Sequence, residues 1–261
     1  MQHRARKRFG QHFLHDQRVI GKILAAIAPR PGERLVEIGP GLGAITLPLL
    51  ERCGVLTAVE LDRDVIPQLA AAAAGKGELR IIQGDALDTD LSALAPEGGK
   101  LRLVGNLPYN ISTPLLFHFL EHAQRVADMH FMLQKEVVER MAAKPGGKEY
   151  GRLTVMLAAR CRVEPLFHIG SGAFRPPPKV ESSFVRLTPH QSPPFPIPDP
   201  RRFAAIVTQA FSHRRKTLRN ALAGLVDEDG IRAAGIDPKA RPEILSAADF
   251  AHLSTPKAPA H

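Results

Sequence analysis

Asn106, Leu107, Pro108 and Tyr109 place a side-chain amide, a carbonyl held extended by the following proline, and an aromatic ring side by side. Such a set suits methyl transfer to an exocyclic adenine amine. That amine is a poor nucleophile because its lone pair is delocalised into the ring. A catalyst must therefore favour the pyramidal form, with the pair aimed at the methyl donor. Two acceptors can do this, the Asn106 side-chain oxygen taking one N–H and the Leu107 carbonyl the other. Tyr109 offers a face on which an extruded base can stack, worth roughly 1 to 3 kcal/mol. A sulfonium donor is already an excellent leaving group, so in-line positioning supplies the rest of the rate and no strongly perturbed acid or base is required. A simple turn would also favour Asn and Pro, so the meaning of the motif depends on what precedes it.

What precedes it is a nucleotide-type site. Leu35-Val36-Glu37-Ile38-Gly39-Pro40-Gly41-Leu42-Gly43 reads as a buried strand, a glycine turn and the start of a helix. Glu60 ends the next strand, where a carboxylate can accept from both hydroxyls of a ribose. Those two features serve NAD equally well, because Gly39, Gly41 and Ala44 also satisfy the dinucleotide spacing. Asp85, after the third strand, favours S-adenosylmethionine, since a carboxylate there can accept from an adenine amino group and no pyrophosphate site is needed.

These residues must be positioned by a wound sheet. Apolar runs at 34–38, 55–60, 79–83, 101–105 and 129–133 alternate with helical patterns, the period of a doubly wound α/β fold. Val19, Ile20, Ile23, Leu24 and Ile27 fall at helical spacing behind Asp16, a candidate N-cap, so an opening helix is expected to lie on the sheet. Pro189 to Pro200 is half proline, which excludes continuous helix or central strand there. The expected division is therefore a domain over 1–190, a linker over 191–200 and an all-helical domain over 201–261. In the last, Asp199-Pro200 starts a helix whose apolar face is Phe203, Ile206, Val207, Ala210 and Phe211.

The chain of 261 residues is long enough for one full core and a smaller second one. No apolar run approaches a membrane span, and Met1 to Gly10 is basic without the apolar stretch of a secretory signal. Cys53 and Cys161 stand alone in apolar segments, which points to neither a disulfide framework nor a metal site, and fits a reducing cytoplasm. The net charge of +9 is concentrated: residues 1–18 (Arg4, Arg6, Lys7, Arg8 and Arg18 against Asp16) carry +4, and residues 201–219 carry +6. Two such segments form an electrostatic footprint for a polyanion.

The motifs Phe9-Gly10-Gln11-His12-Phe13-Leu14, Glu37 to Gly43, Asn106 to Ser112, Phe174 to Val180 and Arg214 to Asn220 together resemble the bacterial small-subunit ribosomal RNA adenine N6,N6-dimethyltransferases, in order along nearly the whole chain. The resemblance implies a Rossmann-like S-adenosylmethionine-dependent methyltransferase domain with a small helical C-terminal domain. It also implies dimethylation of N6 of two adjacent adenosines in the 3′-terminal hairpin of 16S rRNA, within a small-subunit precursor. Cofactor contacts are implied at His12, Leu14, Gly39, Glu60, Asp85 and Asn106, with His12 standing where many members carry asparagine. Phe174 is expected either to close the adenine pocket or to be a core residue. A cytoplasmic monomer is expected. Two rivals remain: a nicotinamide dehydrogenase, which leaves Asp85, Asn106 to Tyr109 and the basic segments unexplained, and an RNA-binding assembly factor with a relic cofactor site, which activity alone distinguishes.

Overall fold

The computed structural model describes residues 12–95 and 99–255. The basic residues Arg4, Arg6, Lys7 and Arg8, and Phe9, Gly10 and Gln11 of the opening motif, lie outside the described residues. In chain order the elements are β1 (Phe13–Leu14), α1 (Gln17–Ile27), β2 (Arg34–Ile38), α2 (Thr46–Cys53), β3 (Val55–Glu60), α3 (Ile66–Ala73), β4 (Glu78–Gln83), α4 (Leu91–Leu94), β5 (Leu101–Asn106), α5 (Ser112–Glu121), β6 (Val126–Gln134), α6 (Lys135–Met141), α7 (Arg152–Ala158), β7 (Cys161–Ile169), β8 (Phe174–Arg175), β9 (Ser182–Pro189), α8 (Pro200–Ser212), α9 (Leu218–Ala221), α10 (Glu228–Ala233) and α11 (Ala247–Ser254). No described helix is long and apolar enough to cross a membrane.

Seven strands form one sheet in the order β4-β3-β2-β5-β6-β9-β7. The neighbours from β4 to β6 are parallel, and β9 runs antiparallel to β6. Continuous apolar runs make the central strands: Leu35, Val36 and Ile38 in β2 and Leu101, Leu103 and Val104 in β5 are buried, as strands covered on both faces require. Gly105 lets β5 close on β2, since a Cβ there would sit 2.4 Å from the Ile38 carbonyl oxygen. Strand order reverses between β2 and β5, and in such sheets the crevice at the carboxyl ends of the strands beside that reversal is where ligands bind.

The opening helix is capped as its sequence indicates, the Asp16 carboxylate accepting from the amides of Arg18 (2.8 Å) and Val19 (3.1 Å). Its stripe of Ile20, Ile23, Leu24 and Ile27 joins Leu35, Leu49, Leu50 and Leu56 in one core. Beside the sheet, β1 and β8 form a short antiparallel ribbon with Phe13 opposite Arg175 and Leu14 opposite Phe174.

The first five expected strands appear as β2 to β6. The sequence pattern does not reveal β7 and β9. Strand β7 lies at the sheet edge and carries Arg162, Glu164, Pro165 and His168 in place of an apolar run, the composition that blunts an edge.

The chain divides into two compact units, residues 1–138 with 164–189, and residues 139–163 with 190–261. This differs from the expected division, because 139–163 joins the C-terminal helices. The Tyr150 hydroxyl donates to the Leu245 carbonyl (2.7 Å), the Gly146 amide donates to the Glu243 carbonyl (2.7 Å), and the Tyr150 ring meets that of Phe211 edge-on. Nothing local in 139–163 distinguishes a helix packed on other helices from one packed on a sheet. Within the second unit α8 begins where expected, with the Asp199 carboxylate accepting from the Arg202 amide (2.9 Å) and Phe203, Ile206, Val207 and Ala210 buried.

Candidate active site

All within the first unit, the carboxyl ends of the parallel strands and the β1–β8 ribbon enclose a cavity of about 1470 Å³. Each strand end delivers one expected residue: Gly39 follows β2, Glu60 ends β3, Asp85 follows β4 and Asn106 ends β5. His12 and Leu14 come from the ribbon, and Leu107, Pro108 and Tyr109 continue from Asn106. All nine sequence-derived site residues thus line one wall system, although they span 98 positions of the chain, from 12 to 109.

The acids are held by backbone donors. Glu60 Oε2 accepts from the Gly41 amide (3.0 Å) and Oε1 from the Asp62 amide (2.8 Å), which ties the glycine loop to β3. Gly41 holds φ +54°, and a Cβ there would press on the Phe13 ring at 3.3 Å. Burial pushes the Glu60 carboxyl above its ordinary range, and the Asp62 and Gly41 amides oppose that rise. A carboxylate oxygen can accept two hydrogen bonds, so each oxygen of Glu60 retains a lone pair for a ligand hydroxyl. Asp85 Oδ1 accepts from the Leu87 amide (2.9 Å), while Oδ2 takes no protein donor among the described residues. Leu61, next to Glu60, lines the cavity with its apolar side chain 48% exposed, the environment of a plate for a flat ring. The acceptor set therefore fits a nucleoside bearing two adjacent hydroxyls and an amino-substituted ring.

The Asn106 amide is oriented by the ribbon. Its Nδ2 donates to the His12 carbonyl (3.3 Å), which assigns the amide's sense, because the oxygen turned that way would face another oxygen. The Oδ1 is left without a protein partner among the described residues. The Leu107 amide donates to the Met132 carbonyl (3.2 Å), so Leu107 is anchored to β6 while its own carbonyl accepts from no described residue. Tyr109 is clamped: its hydroxyl bonds Ser182 Oγ at 2.7 Å, and its ring stacks on that of His12 with centroids 5.9 Å apart and planes 24° apart. Burial raises the Tyr109 phenol above its usual range, which keeps the hydroxyl neutral.

Three residues of this region carry roles that the sequence pattern did not assign. Glu37, in the apolar run of β2, is 2% exposed and lines the cavity. Its Oε2 and the hydroxyl of Thr46 are buried without hydrogen bonds; the hydroxyl lies close enough to favour the ionised carboxyl but outside bonding geometry. Burial, aided by the charge of Glu60, moves the Glu37 carboxyl up to about 7. A charged residue in an apolar strand is the only trace of this in the sequence. Leu61 is marked only by following a strand-end acid. Ser182 has no local signal, since it meets Tyr109 across 73 positions. Phe174 is 1% exposed within the hydrophobic core and takes the second of its two expected roles. In the second unit Arg214, Arg215 and Lys216 are consecutive and exposed, the Arg214 guanidinium donating to the Lys148 carbonyl (3.0 Å).

Comparison with known proteins places this site in context. Residues 2–258 match the family described as ribosomal RNA adenine dimethylase. The chain is 56% identical over 253 residues to ribosomal RNA small subunit methyltransferase A of Pseudomonas aeruginosa, covering 97% of this chain and 94% of that one. It is 54% identical to the protein of the same name from Acinetobacter baylyi, covering 98% and 94%. Among solved structures, a dimethyladenosine transferase from Plasmodium falciparum superposes with a TM-score of 0.78 at 26% identity over 93% of this chain and 96% of that one. The 23S rRNA methyltransferase ErmE shares the fold with a TM-score of 0.71 at 24% identity, over 93% and 98%.

Proposed function

The chain belongs to the ribosomal RNA adenine dimethylase family, and on that premise we propose that it dimethylates N6 of two adjacent adenosines in the 3′-terminal hairpin of 16S rRNA, with S-adenosylmethionine as methyl donor. The observation that carries the reading is the Asn106 amide, whose nitrogen is engaged by His12 and whose oxygen remains as an acceptor beside the Leu107 carbonyl. A dehydrogenase has no use for that pair of acceptors.

S-adenosylmethionine, when bound, supplies an electrophilic methyl group on a sulfonium. Glu60 would hold the ribose through the lone pairs its backbone donors leave open, Asp85 Oδ2 would accept from the adenine amino group, and Leu61 would cover the ring. Leu14 and Gly39 close the wall by shape. On the substrate side, Asn106 Oδ1 and the Leu107 carbonyl would accept the two N–H bonds of the target amine, lowering the cost of pyramidalisation and aiming its lone pair. Tyr109 would stack the extruded base and hold it in line. Once one methyl is on, a single N–H remains, and either acceptor suffices to orient it for the second transfer.

Arg214, Arg215 and Lys216 are offered to phosphates, which position an RNA without reading its bases. With few base-reading groups, specificity would come from shape, so a small-subunit precursor is the expected substrate, met by a monomer in the cytoplasm. The experiment is mass spectrometry of small-subunit rRNA from cells with and without this chain, together with methyl incorporation into undermethylated subunits by the purified protein. Dimethyladenosine that is unchanged by deletion, with no incorporation in vitro, would favour the assembly factor with a relic site.

A further inference from the structure

We propose that the His12 side chain is a positioning residue for Tyr109 and not a cofactor ligand, and that the target base packs on the face of Tyr109 opposite His12. The inference rests on the reading of Tyr109 as the base-stacking ring.

Three contacts converge on His12. Its ring lies against Tyr109 in a stacked arrangement, its Nδ1 meets the Pro176 carbonyl at 2.8 Å, and its own carbonyl accepts from Asn106 Nδ2. A carbonyl only accepts, so Nδ1 carries the hydrogen. The register of the ribbon explains the second contact. Phe13 faces Arg175, so the next position outward sets His12 against Pro176, which has no N–H to continue the ladder. The His12 carbonyl takes the Asn106 amide in place of that absent donor, and the imidazole donates to the Pro176 carbonyl, which fixes its plane where Tyr109 can lean on it. Tyr109 is pinned at its other end by Ser182, which is fully buried. One face and the hydroxyl are thus occupied, leaving a single face for an incoming base. A clamped ring spares the capture step the side-chain ordering that a swinging ring would lose. Because the link from His12 to Asn106 is made by backbone, changing the imidazole perturbs the stacking ring while leaving the amide's anchor in place.

The test uses the full-length protein, an rRNA hairpin carrying 2-aminopurine at the target position for extrusion, undermethylated small subunits with S-adenosylmethionine for kcat, and S-adenosylhomocysteine as the cofactor probe. His12→Ala is expected to reduce both the fluorescence rise on base extrusion and kcat by about tenfold, the scale of losing one well-ordered contact, with S-adenosylhomocysteine affinity within about twofold of wild type. His12→Phe, which keeps a ring but loses the Nδ1 donor, is expected to recover most of the loss, and also reports on the site should the alanine variant fold poorly. A large loss of S-adenosylhomocysteine affinity in both variants, with extrusion unchanged, overturns the inference by making the imidazole a cofactor contact. A stronger extrusion signal in His12→Ala overturns it as well, since the imidazole would then stand in the place of the base. Tyr109→Ala separates the two levels: unchanged extrusion there removes the underlying reading of Tyr109, whereas lost extrusion there with normal extrusion in His12→Ala removes only the role of His12.

Discussion

Replacing Glu37 by Gln tests the electrostatics of the cavity without touching its shape. In the unfolded chain this carboxyl titrates near 4.5, and in the folded protein burial holds its proton until about 7. Below 4.5 the group is neutral in both states and costs nothing. As pH rises from 4.5 to 7 the unfolded chain gives up the proton and the folded one does not, so the native state loses stability at about 1.36 kcal/mol per pH unit. Over that interval of about 2.5 units the loss reaches about 3 kcal/mol, and it levels off above 7. Glutamine has the same shape and no proton to lose, so the variant should not follow this slope.

The assay is urea unfolding of the cofactor-free protein at intervals between pH 4 and 8, followed by circular dichroism because the chain has no tryptophan. Titrating groups that do not bear on Glu37 are common to both proteins and cancel in the difference, and the coupling to Glu60 enters only as a smaller part of the same effect. Glu37→Gln should gain about 3 kcal/mol on wild type across this range, nearly all of it between 4.5 and 7. Two stability curves that stay parallel within about 0.5 kcal/mol would refute the assignment of a buried, proton-retaining carboxyl to the floor of the cavity.

Glu60→Ala should weaken S-adenosylhomocysteine binding by roughly 1 to 3 kcal/mol in calorimetry, the scale of hydrogen bonds to a charged group, and wild-type protein should show no NAD binding. Asn106→Ala should lower methyl incorporation by about a hundredfold or more at saturating cofactor, as loss of one preorganised group does, and full activity would remove its assigned role. Gly105→Ala should destabilise the protein by about 1 to 3 kcal/mol or more in the same urea assay, because its Cβ would lie 2.4 Å from the Ile38 oxygen and must push β5 off β2. Charge reversal at Arg214, Arg215 and Lys216 should weaken RNA binding and flatten its salt dependence by roughly 0.7 to 0.9 log units per lost contact, with S-adenosylhomocysteine affinity unchanged.

The parts of the site readable from sequence are those a wound sheet delivers in order. Gly39, Glu60, Asp85 and Asn106 each stand at the end of a strand in its own βα repeat, so apolar period plus a terminal polar residue locates them. The helix stripe of α1 and the Asp199 cap were legible for the same reason, a local pattern with a local cause. Strand β7 was not, because an edge strand is built to lack the apolar run that would reveal it, and the interior strand β9 was hidden because Ser182, Ser183 and Arg186 break up its apolar residues. The placement of 139–163 in the second unit was hidden too, since an apolar helix face does not say which neighbour it will meet.

The chemistry of the site depends on contacts of the second kind. The identity of Asn106 supplies an amide with an acceptor at one end and donors at the other, and nothing nearby in sequence decides which end faces the cavity. The decision is made by the His12 carbonyl, 94 positions away, and that carbonyl is held by the pairing of Phe13 and Leu14 with Arg175 and Phe174. Tyr109 is set in the same way, by Ser182 from β9 and by His12 from the ribbon. The sheet therefore places the reacting groups at one edge, while a ribbon of two residues per strand fixes the sense in which they act. A substitution that frees the ribbon should leave Asp85, its backbone donor and the Leu107 anchor on β6 untouched, while the wall at Leu14 loosens and the Asn106 amide and the Tyr109 ring lose their orientation together.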